Sequence, residues 1–381
     1  MTLSNNQRST LPRIWADIGG TFTDCFVQQQ NQRLDIKVLS SGLMRAAFHS
    51  MKSEFEICLQ AYPGSTTLNF WKGASASVLN RSGKTIHLGV IDYQDSEVIR
   101  FANNCREAIA NLQGPLTIEL NAHIEAPVLA TRLLLNLALE KPLPAIEARL
   151  GTTRGTNALL TRAGAKMALI VTKGFGDLLK IGEQDRPDLF TLQIHKYEPL
   201  ANQVIEIDER MDSSGKPLRV PEPESIMEQL KAARAMGIES LAICLLHSHL
   251  NGSHEKTIEA IARECGFKEI SRSSEVAPLI KYVSRAETTS LDAYLNPILR
   301  HYINRVWNQF GGKESCNLRL MTSNGNLVVP DSFRGRDSIL SGPAGGVVGR
   351  RRVAPPTDRY PQARLPHAGR RPGPNRGRRR G

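Results

Sequence analysis

Residues 13–27 read as an apolar strand, a glycine turn at Gly19-Gly20 and a second apolar strand, which predicts a β-hairpin with a polar tip. Between 66 and 121 the pattern breaks into short strand-like pieces, 85–90 and 97–101 among them, separated by turn signals such as Ser82-Gly83 and joined by a short helical stretch near 103–112. This region is expected to be an inserted subdomain. Leu129, Leu133, Leu134 and Leu137 then recur at helical spacing over 126–140, and Pro142 and Pro144 stop the helix. A strand ending at Gly151-Thr152-Thr153 follows, then a helix opening at Thr156 and closed by Gly164, then a β-rich run over 166–172. The alternation repeats: a helix over 224–236 ends at Gly237, an apolar strand covers 240–246, and a helix over 253–265 ends at Gly266. A long helical pattern over 286–310 is interrupted by Pro297, and a strand at 318–321 leads into the turn Ser323-Asn324-Gly325-Asn326. Alternation of this kind predicts an α/β fold.

With 381 residues, 40% of them hydrophobic and 23% charged, the chain has the composition of a folded protein of two or three domains and not of a disordered or fibrous one. Its formal charge of +12 is concentrated at one end. Residues 350–381 hold eleven arginines against one acid, Asp358, for +10, which leaves +2 for residues 1–349. These 32 residues also hold six prolines and four glycines and no lysine, so they are expected to form a disordered tail. The abrupt change in composition resembles translation in a different reading frame. Arginines without interleaved aromatic residues give only salt-sensitive, non-specific attraction, so nucleic acid is not the expected partner. No run approaches the roughly 20 apolar residues of a membrane span. The leader, 1–10, is polar with no apolar signal core, and a cytoplasmic protein without a membrane partner is expected. Cys25, Cys58, Cys105, Cys244, Cys265 and Cys316 have no CxxC spacing, which argues against a zinc site or a disulfide framework.

The strongest chemical signal is Asp17-Ile18-Gly19-Gly20-Thr21-Phe22-Thr23-Asp24. Paired glycines let the main chain approach an anion, successive N–H groups form a cradle, and Thr21 and Thr23 add hydroxyl donors. Asp17, at the end of the first strand, suits a hydrated Mg²⁺ that bridges to phosphate, and Asp24 offers a second polar role. The plain alternative is a hairpin turn between solvated acids. The segment is neither a Walker loop, since no Gly-Lys-Ser/Thr follows, nor a Rossmann fingerprint, since a strand comes next. Gly151, Thr152, Thr153, Arg154 and Asn157 form a candidate second anion-facing loop at a helix N-terminus, where Arg154 could pair with a phosphate or a carboxylate, with a capped strand-to-helix turn and a solvent-facing Arg154 as the alternative. Gly342, Gly345 and Gly346 lie in a third glycine turn, suited either to nucleotide or to a simple reversal. His247, His249 and His254 lack fixed metal-ligand spacing and read as surface or packing residues. Arg285, Thr288 and Thr289 stand at the start of the long helix, to cap it or to face a cleft, and Asp292 and Asn296 are placed for a polar contact one turn apart.

The hairpin resembles the first phosphate loop of the actin-like ATPase superfamily. Gly151-Thr152-Thr153-Arg154-Gly155-Thr156-Asn157, Gly174-Phe175-Gly176-Asp177-Leu178-Leu179-Lys180-Ile181-Gly182, Arg186-Pro187-Asp188-Leu189-Phe190, Leu246-His247-Ser248, Arg285-Ala286-Glu287-Thr288-Thr289 and Ser341-Gly342-Pro343-Ala344-Gly345-Gly346 together resemble the hydantoinase A/5-oxoprolinase family. The resemblance covers 12–349 and is weak across 50–125. It implies a two-lobed, ribonuclease H-like architecture, with an N-terminal domain over 11–200 and the start of a second domain over 201–349. It also implies ATP and Mg²⁺ as cofactors, with Asp17 on the metal and Asp17 and Thr21 as catalytic residues. Gly19, Gly20 and Thr21 would lie on the phosphates. The implied reaction is ATP-driven opening of a cyclic amide, 5-oxoproline to glutamate, with hydantoin hydrolysis and ketone carboxylation as neighbouring activities. Family members continue into a second Asp-x-Gly-Gly-Thr loop and use a hydantoinase B-like partner. Here the Arg-rich tail stands in place of that loop, so the architecture is expected to be incomplete at its C-terminus and the chain impaired or non-catalytic.

Overall fold

The computed structural model describes residues 11–340 apart from 31, 61–66, 81, 82, 84, 111, 113, 184–189 and 191–195. The expected polar leader and Arg-rich tail lie outside the described residues. The chain opens with β1 (Arg13–Ile18), β2 (Phe22–Gln29) and β3 (Gln32–Leu39). The strands β4 (Leu43–Met51), β5 (Glu56–Leu59), β6 (Ser75–Leu79), β7 (Thr85–Gln94), β8 (Val98–Phe101) and β9 (Thr117–Asn121) then close into a barrel in the order β4-β5-β8-β7-β6-β9. Next come α1 (Ala126–Leu134), β10 (Ile146–Thr152), α2 (Arg154–Leu160), β11 (Met167–Thr172), β12 (Gln203–Ile207) and the short pair β13 (Arg210–Met211) and β14 (Pro217–Arg219). α3 (Pro223–Ala235), β15 (Ser240–Cys244), α4 (Ser253–Glu264), β16 (Glu269–Arg272), α5 (Tyr282–Gln309), β17 (Cys316–Met321) and β18 (Leu327–Val328) follow.

The first sheet has the order β18-β17-β10-β1-β2-β3, with β17, β10 and β1 mutually parallel and β2 and β3 added as antiparallel strands. Strand alternation sends Ile14, Ala16 and Ile18 to one face with their neighbours Thr23, Cys25, Val27, Ala148 and Leu150, all buried, where α1 packs. Trp15, Asp17, Asp24 and Gly151 share the other face. The second sheet, β12-β11-β15-β16, is wholly parallel. Both its central strands are covered on each face, which is why β11 reads as an unbroken apolar run. Met167, Leu169 and Val171 face the core shared with the first sheet, whereas Ala168 and Ile170 pack with Leu230 of α3 and Ile258 of α4. α5 lies between, touching β11, β15 and β16 on one side and α2 on the other. The expected α/β class is present as these two sheets. No helix among the described residues is long and apolar enough to cross a membrane.

Several elements differ from their expected extents for identifiable reasons. The barrel begins at Leu43, well before residue 66, because β4 pairs with β9 and β5 with β8, while a register shift between Phe48 and Ser50, where β4 meets β5, interrupts the alternation that a strand reading needs. α1 stops at Leu134, where Asn136 takes a left-handed φ of 51° and Arg132 folds back onto the carbonyls of Ala138 and Lys141. α2 starts at Arg154, two residues earlier than expected, because Thr152 Oγ1 accepts the Arg154 N–H at 3.2 Å. α5 runs unbroken for 28 residues through Pro297. Proline withholds the donor that the Ala293 carbonyl would use, and Ser240 Oγ supplies one at 2.8 Å, while Ala165 N–H donates to the next carbonyl, Tyr294, at 3.0 Å. The close approach at Tyr294 also explains Gly164, since a Cβ there would sit 2.0 Å from the Tyr294 ring.

Candidate functional site

Because β1, β10 and β17 are parallel, the turns that follow them emerge at one edge of the first sheet. Carboxyl-end crevices of this kind are where α/β sheets bind ligands. In the first turn, Gly19 N–H donates to Phe22 O at 3.0 Å and Ser40 N–H to Thr21 O at 2.8 Å. The Ser40 hydroxyl donates to Gly19 O at 2.8 Å. Thr153 sends both its N–H, at 2.9 Å, and its hydroxyl, at 3.2 Å, to Ile18 O. The carbonyls of Ile18, Gly19, Thr21 and Phe22 are thus all engaged. By contrast, the N–H groups of Gly20 and Thr21 and the Thr21 hydroxyl have no partner among the described residues, and both residues are exposed. Adjacent free donors beside occupied acceptors make a cradle for an anion.

Asp17 stands beside this cradle. Its register partner on β10 is Gly151, where a Cβ would lie 3.3 Å from Asp17 Oδ1, so the glycine leaves the carboxylate room. Its partner on β2 is Asp24, which Lys37 of β3 meets at 3.0 Å. Burial, and then the charge of Asp24, push the Asp17 carboxyl above its ordinary pKa. A cation at this position would relieve the repulsion between the two acids. No cluster of three or more His, Cys, Asp or Glu suited to a metal occurs among the described residues. Mg²⁺ needs no such cluster, because it keeps most of its waters and takes one or two carboxylates, so the donors present fit it.

Other candidate residues are placed differently from what their spacing suggests. Thr23 alternates onto the buried face and its hydroxyl lies 2.9 Å from Ser40 Oγ, not toward the cradle. Gly19 spends its N–H within the turn. In the second loop, Thr152 is buried and caps Arg154, and Thr153 braces the first turn through Ile18. Arg154 does not face the cradle as a phosphate partner would. Its guanidinium lies 3.9 Å over the Tyr302 ring and 3.6 Å from Glu125, which also pairs with Arg305 at 2.6 Å. Asn157 does reach the first turn, its Nδ2 lying 3.0 Å from where a Cβ on Gly20 would stand. Gly342, Gly345 and Gly346 lie outside the described residues. The segment leading to them is fastened to the second loop: Thr156 Oγ1 donates to Ile339 O at 2.6 Å, and a Cβ on Gly155 would lie 1.9 Å from Ser338 Oγ. Asp292 and Asn296 make their polar contact at 2.9 Å and also hold the N–H groups of Arg336 and Gly335.

The residues around the second sheet serve packing. Arg285 is buried and donates to Leu245 O, to Ser273 and to Ser248, so it neither caps α5 nor opens to a cleft. Thr288 and Thr289 bond back to the carbonyls of Ser284 and Arg285. His254 Nδ1 meets Glu209 at 2.6 Å, and the His247 and His249 rings stand 6.2 Å apart. The motif residues 186–189 lie outside the described residues. The residue that spacing alone did not single out is Ser40, which belongs to no motif; only the pairing of β2 with β3 brings it under the glycine turn.

The hydantoinase/oxoprolinase N-terminal region matches residues 111–266 and the hydantoinase/oxoprolinase domain matches 285–359. The 5-oxoprolinase of Saccharomyces cerevisiae is 38% identical over 270 residues, which cover 61% of this chain and 21% of the yeast protein. This chain therefore spans about a fifth of the length of such relatives. Among solved structures, nucleotide-free acetone carboxylase superposes with a TM-score of 0.57 at 19% identity, over 90% of this chain and 40% of that one. The ATP-dependent caprolactamase of Pseudomonas jessenii does so with 0.52 at 23% identity, over the same shares. These two likenesses are of fold. With both family regions matched in order along one chain, the protein belongs to the hydantoinase/oxoprolinase family.

Proposed function

We propose that this chain carries the nucleotide-binding part of an ATP-dependent cyclic-amide hydrolase, with 5-oxoproline as the amide and glutamate as the product. The observation that carries the reading is the first turn, where Gly20 and Thr21 offer free amides while four surrounding carbonyls are occupied. In this reading the two amides and the Thr21 hydroxyl hold phosphate oxygens, and Asp17, with Asp24 behind it, holds the cation. Bound Mg²⁺ would neutralise charge on the phosphates. A five-membered lactam resists water because its amide is resonance-stabilised, and transfer of a phosphoryl group to its carbonyl oxygen makes that carbon a far better electrophile. The protein's contribution is then positioning and electrostatic complementarity. A hydantoinase B-like subunit is the proposed partner for completing the reaction.

Calorimetry of the full chain with MgATP tests the reading. Uptake is expected, and Asp17→Ala should weaken it by about tenfold or more. With a hydantoinase B-like subunit added, ATP turnover should rise with 5-oxoproline more than with hydantoin or with acetone and bicarbonate. A chain that takes up no MgATP would overturn the nucleotide reading, and stimulation by hydantoin or by acetone instead would reassign the substrate.

A further inference from the structure

Ser40 is the residue at which the chain leaves the first sheet for the barrel, one position after the end of β3. It is buried and makes three contacts with the glycine turn. Its N–H donates to Thr21 O at 2.8 Å, its hydroxyl oxygen lies 2.8 Å from Gly19 O, and Thr23 Oγ1 is 2.9 Å away. A serine hydroxyl has one proton, and a carbonyl can only accept, so that proton belongs to Gly19 O. Thr23 is therefore the donor to Ser40. The resulting chain runs in one direction, from Thr23 O–H to Ser40 O–H to Gly19 C=O, and each bond polarises the next.

This chain has a consequence for the cradle. Gly19 C=O and Gly20 N–H belong to the same peptide unit, and in a trans peptide they point in opposite directions. Fastening the carbonyl to Ser40 aims the Gly20 N–H away from Ser40, on the side left open. Two adjacent glycines meet little steric resistance to rotation of the peptide between them. Without the hydroxyl, that unit is free to turn its carbonyl oxygen toward an incoming phosphate, and a donor becomes a repelling acceptor.

We propose that Ser40 is a positioning residue for nucleotide binding, its hydroxyl setting the orientation of the Gly19–Gly20 peptide so that Gly20 N–H meets phosphate. The proposal rests on the nucleotide reading above. The test compares the full chain with Ser40→Cys, which keeps the size and offers only a weak donor, and Ser40→Thr, which keeps the hydroxyl. MgATP affinity is measured by calorimetry, unfolding temperature is measured without nucleotide, and the Gly20 amide resonance is followed in ¹⁵N-glycine-labelled protein. Ser40→Cys is expected to bind MgATP about tenfold more weakly and to lose the nucleotide-induced shift of the Gly20 amide. Ser40→Thr should restore both, with unfolding temperatures close to that of the unaltered chain. If Ser40→Cys binds as well as the unaltered chain, or if Ser40→Thr fails as badly while retaining its fold, the positioning role is wrong and the nucleotide reading stands. If the unaltered chain itself binds no MgATP, both fall.

Discussion

Asp17 is held where its charge is disfavoured, between partial burial and a second acid, Asp24. Its folded pKa lies above the unfolded value, so the native state binds this proton more tightly than the unfolded chain does. The contribution of Asp17 to stability is therefore lost as pH rises from the unfolded value of 3.8 through the raised folded one. Asp17→Asn removes the repulsion. Urea unfolding should show this variant more stable than the parent at pH 7, with the gap closing as the pH falls toward 4, although it loses MgATP binding. A variant less stable than the parent at pH 7 would contradict the assignment. That Asp17, Gly20 and Thr21 share one turn is legible in the sequence, because the acid, the paired glycines and the threonine fall between two apolar strands. The motif taken alone makes Thr23 a donor to the cradle, whereas the two-residue period of β2 puts it on the buried face with Cys25 and Val27. Of the two partners the sequence offers Arg154, the structure shows the carboxylate, Glu125, which with Tyr302 lies on an element distant in sequence and so beyond a local reading.

α5 shows the same limit at the scale of an element. Pro297 in a helical pattern predicts a break, and nothing local argues otherwise. The helix continues because Ser240, on a strand 53 residues away, donates to the Ala293 carbonyl that proline leaves without a partner. The two residues should therefore be coupled. Ser240→Ala alone leaves a buried carbonyl unpaired and should destabilise by about 1–3 kcal/mol. In a Pro297→Ala background the helix regains its own N–H donor, and the same serine change should be milder by about 1 kcal/mol. A double-mutant cycle by urea denaturation measures the difference. Additive effects would show that the serine bond does not substitute for the helix donor. Elements whose signals are local, such as α3 and α4 with Gly237 and Gly266 at left-handed φ just beyond their ends, were legible to within a residue or two. The barrel was legible only in part, since its register shifts erase the alternation on which such a reading depends.

For the whole molecule, the charge distribution separates two ways of attracting an anion. In the proposed reading the first-sheet cradle would use a few amides oriented by Ser40, Thr153 and the turn itself, in a body with a formal charge of only +2 over residues 1–349. Residues 350–381 have +10 and no aromatic partner other than Tyr360, so whatever they attract they attract by charge. Directional hydrogen bonds depend on geometry and tolerate salt, whereas charge attraction to a polyanion falls steeply with ionic strength through counterion release. Removing residues 350–381 should therefore abolish binding to a double-stranded DNA probe while leaving MgATP affinity within about twofold of the full chain. For the full chain, DNA affinity should drop by orders of magnitude between about 50 and 200 mM salt, and MgATP affinity should change far less. Fluorescence anisotropy with labelled DNA and calorimetry with MgATP, each across the salt series, read the two separately. A shortened chain that keeps its DNA affinity would place the polyanion surface on the folded body, where the near balance of charge gives no reason for one. A MgATP affinity that falls with salt as steeply as the DNA affinity would mean that the nucleotide is held by charge alone and not by the oriented amides of Gly20 and Thr21.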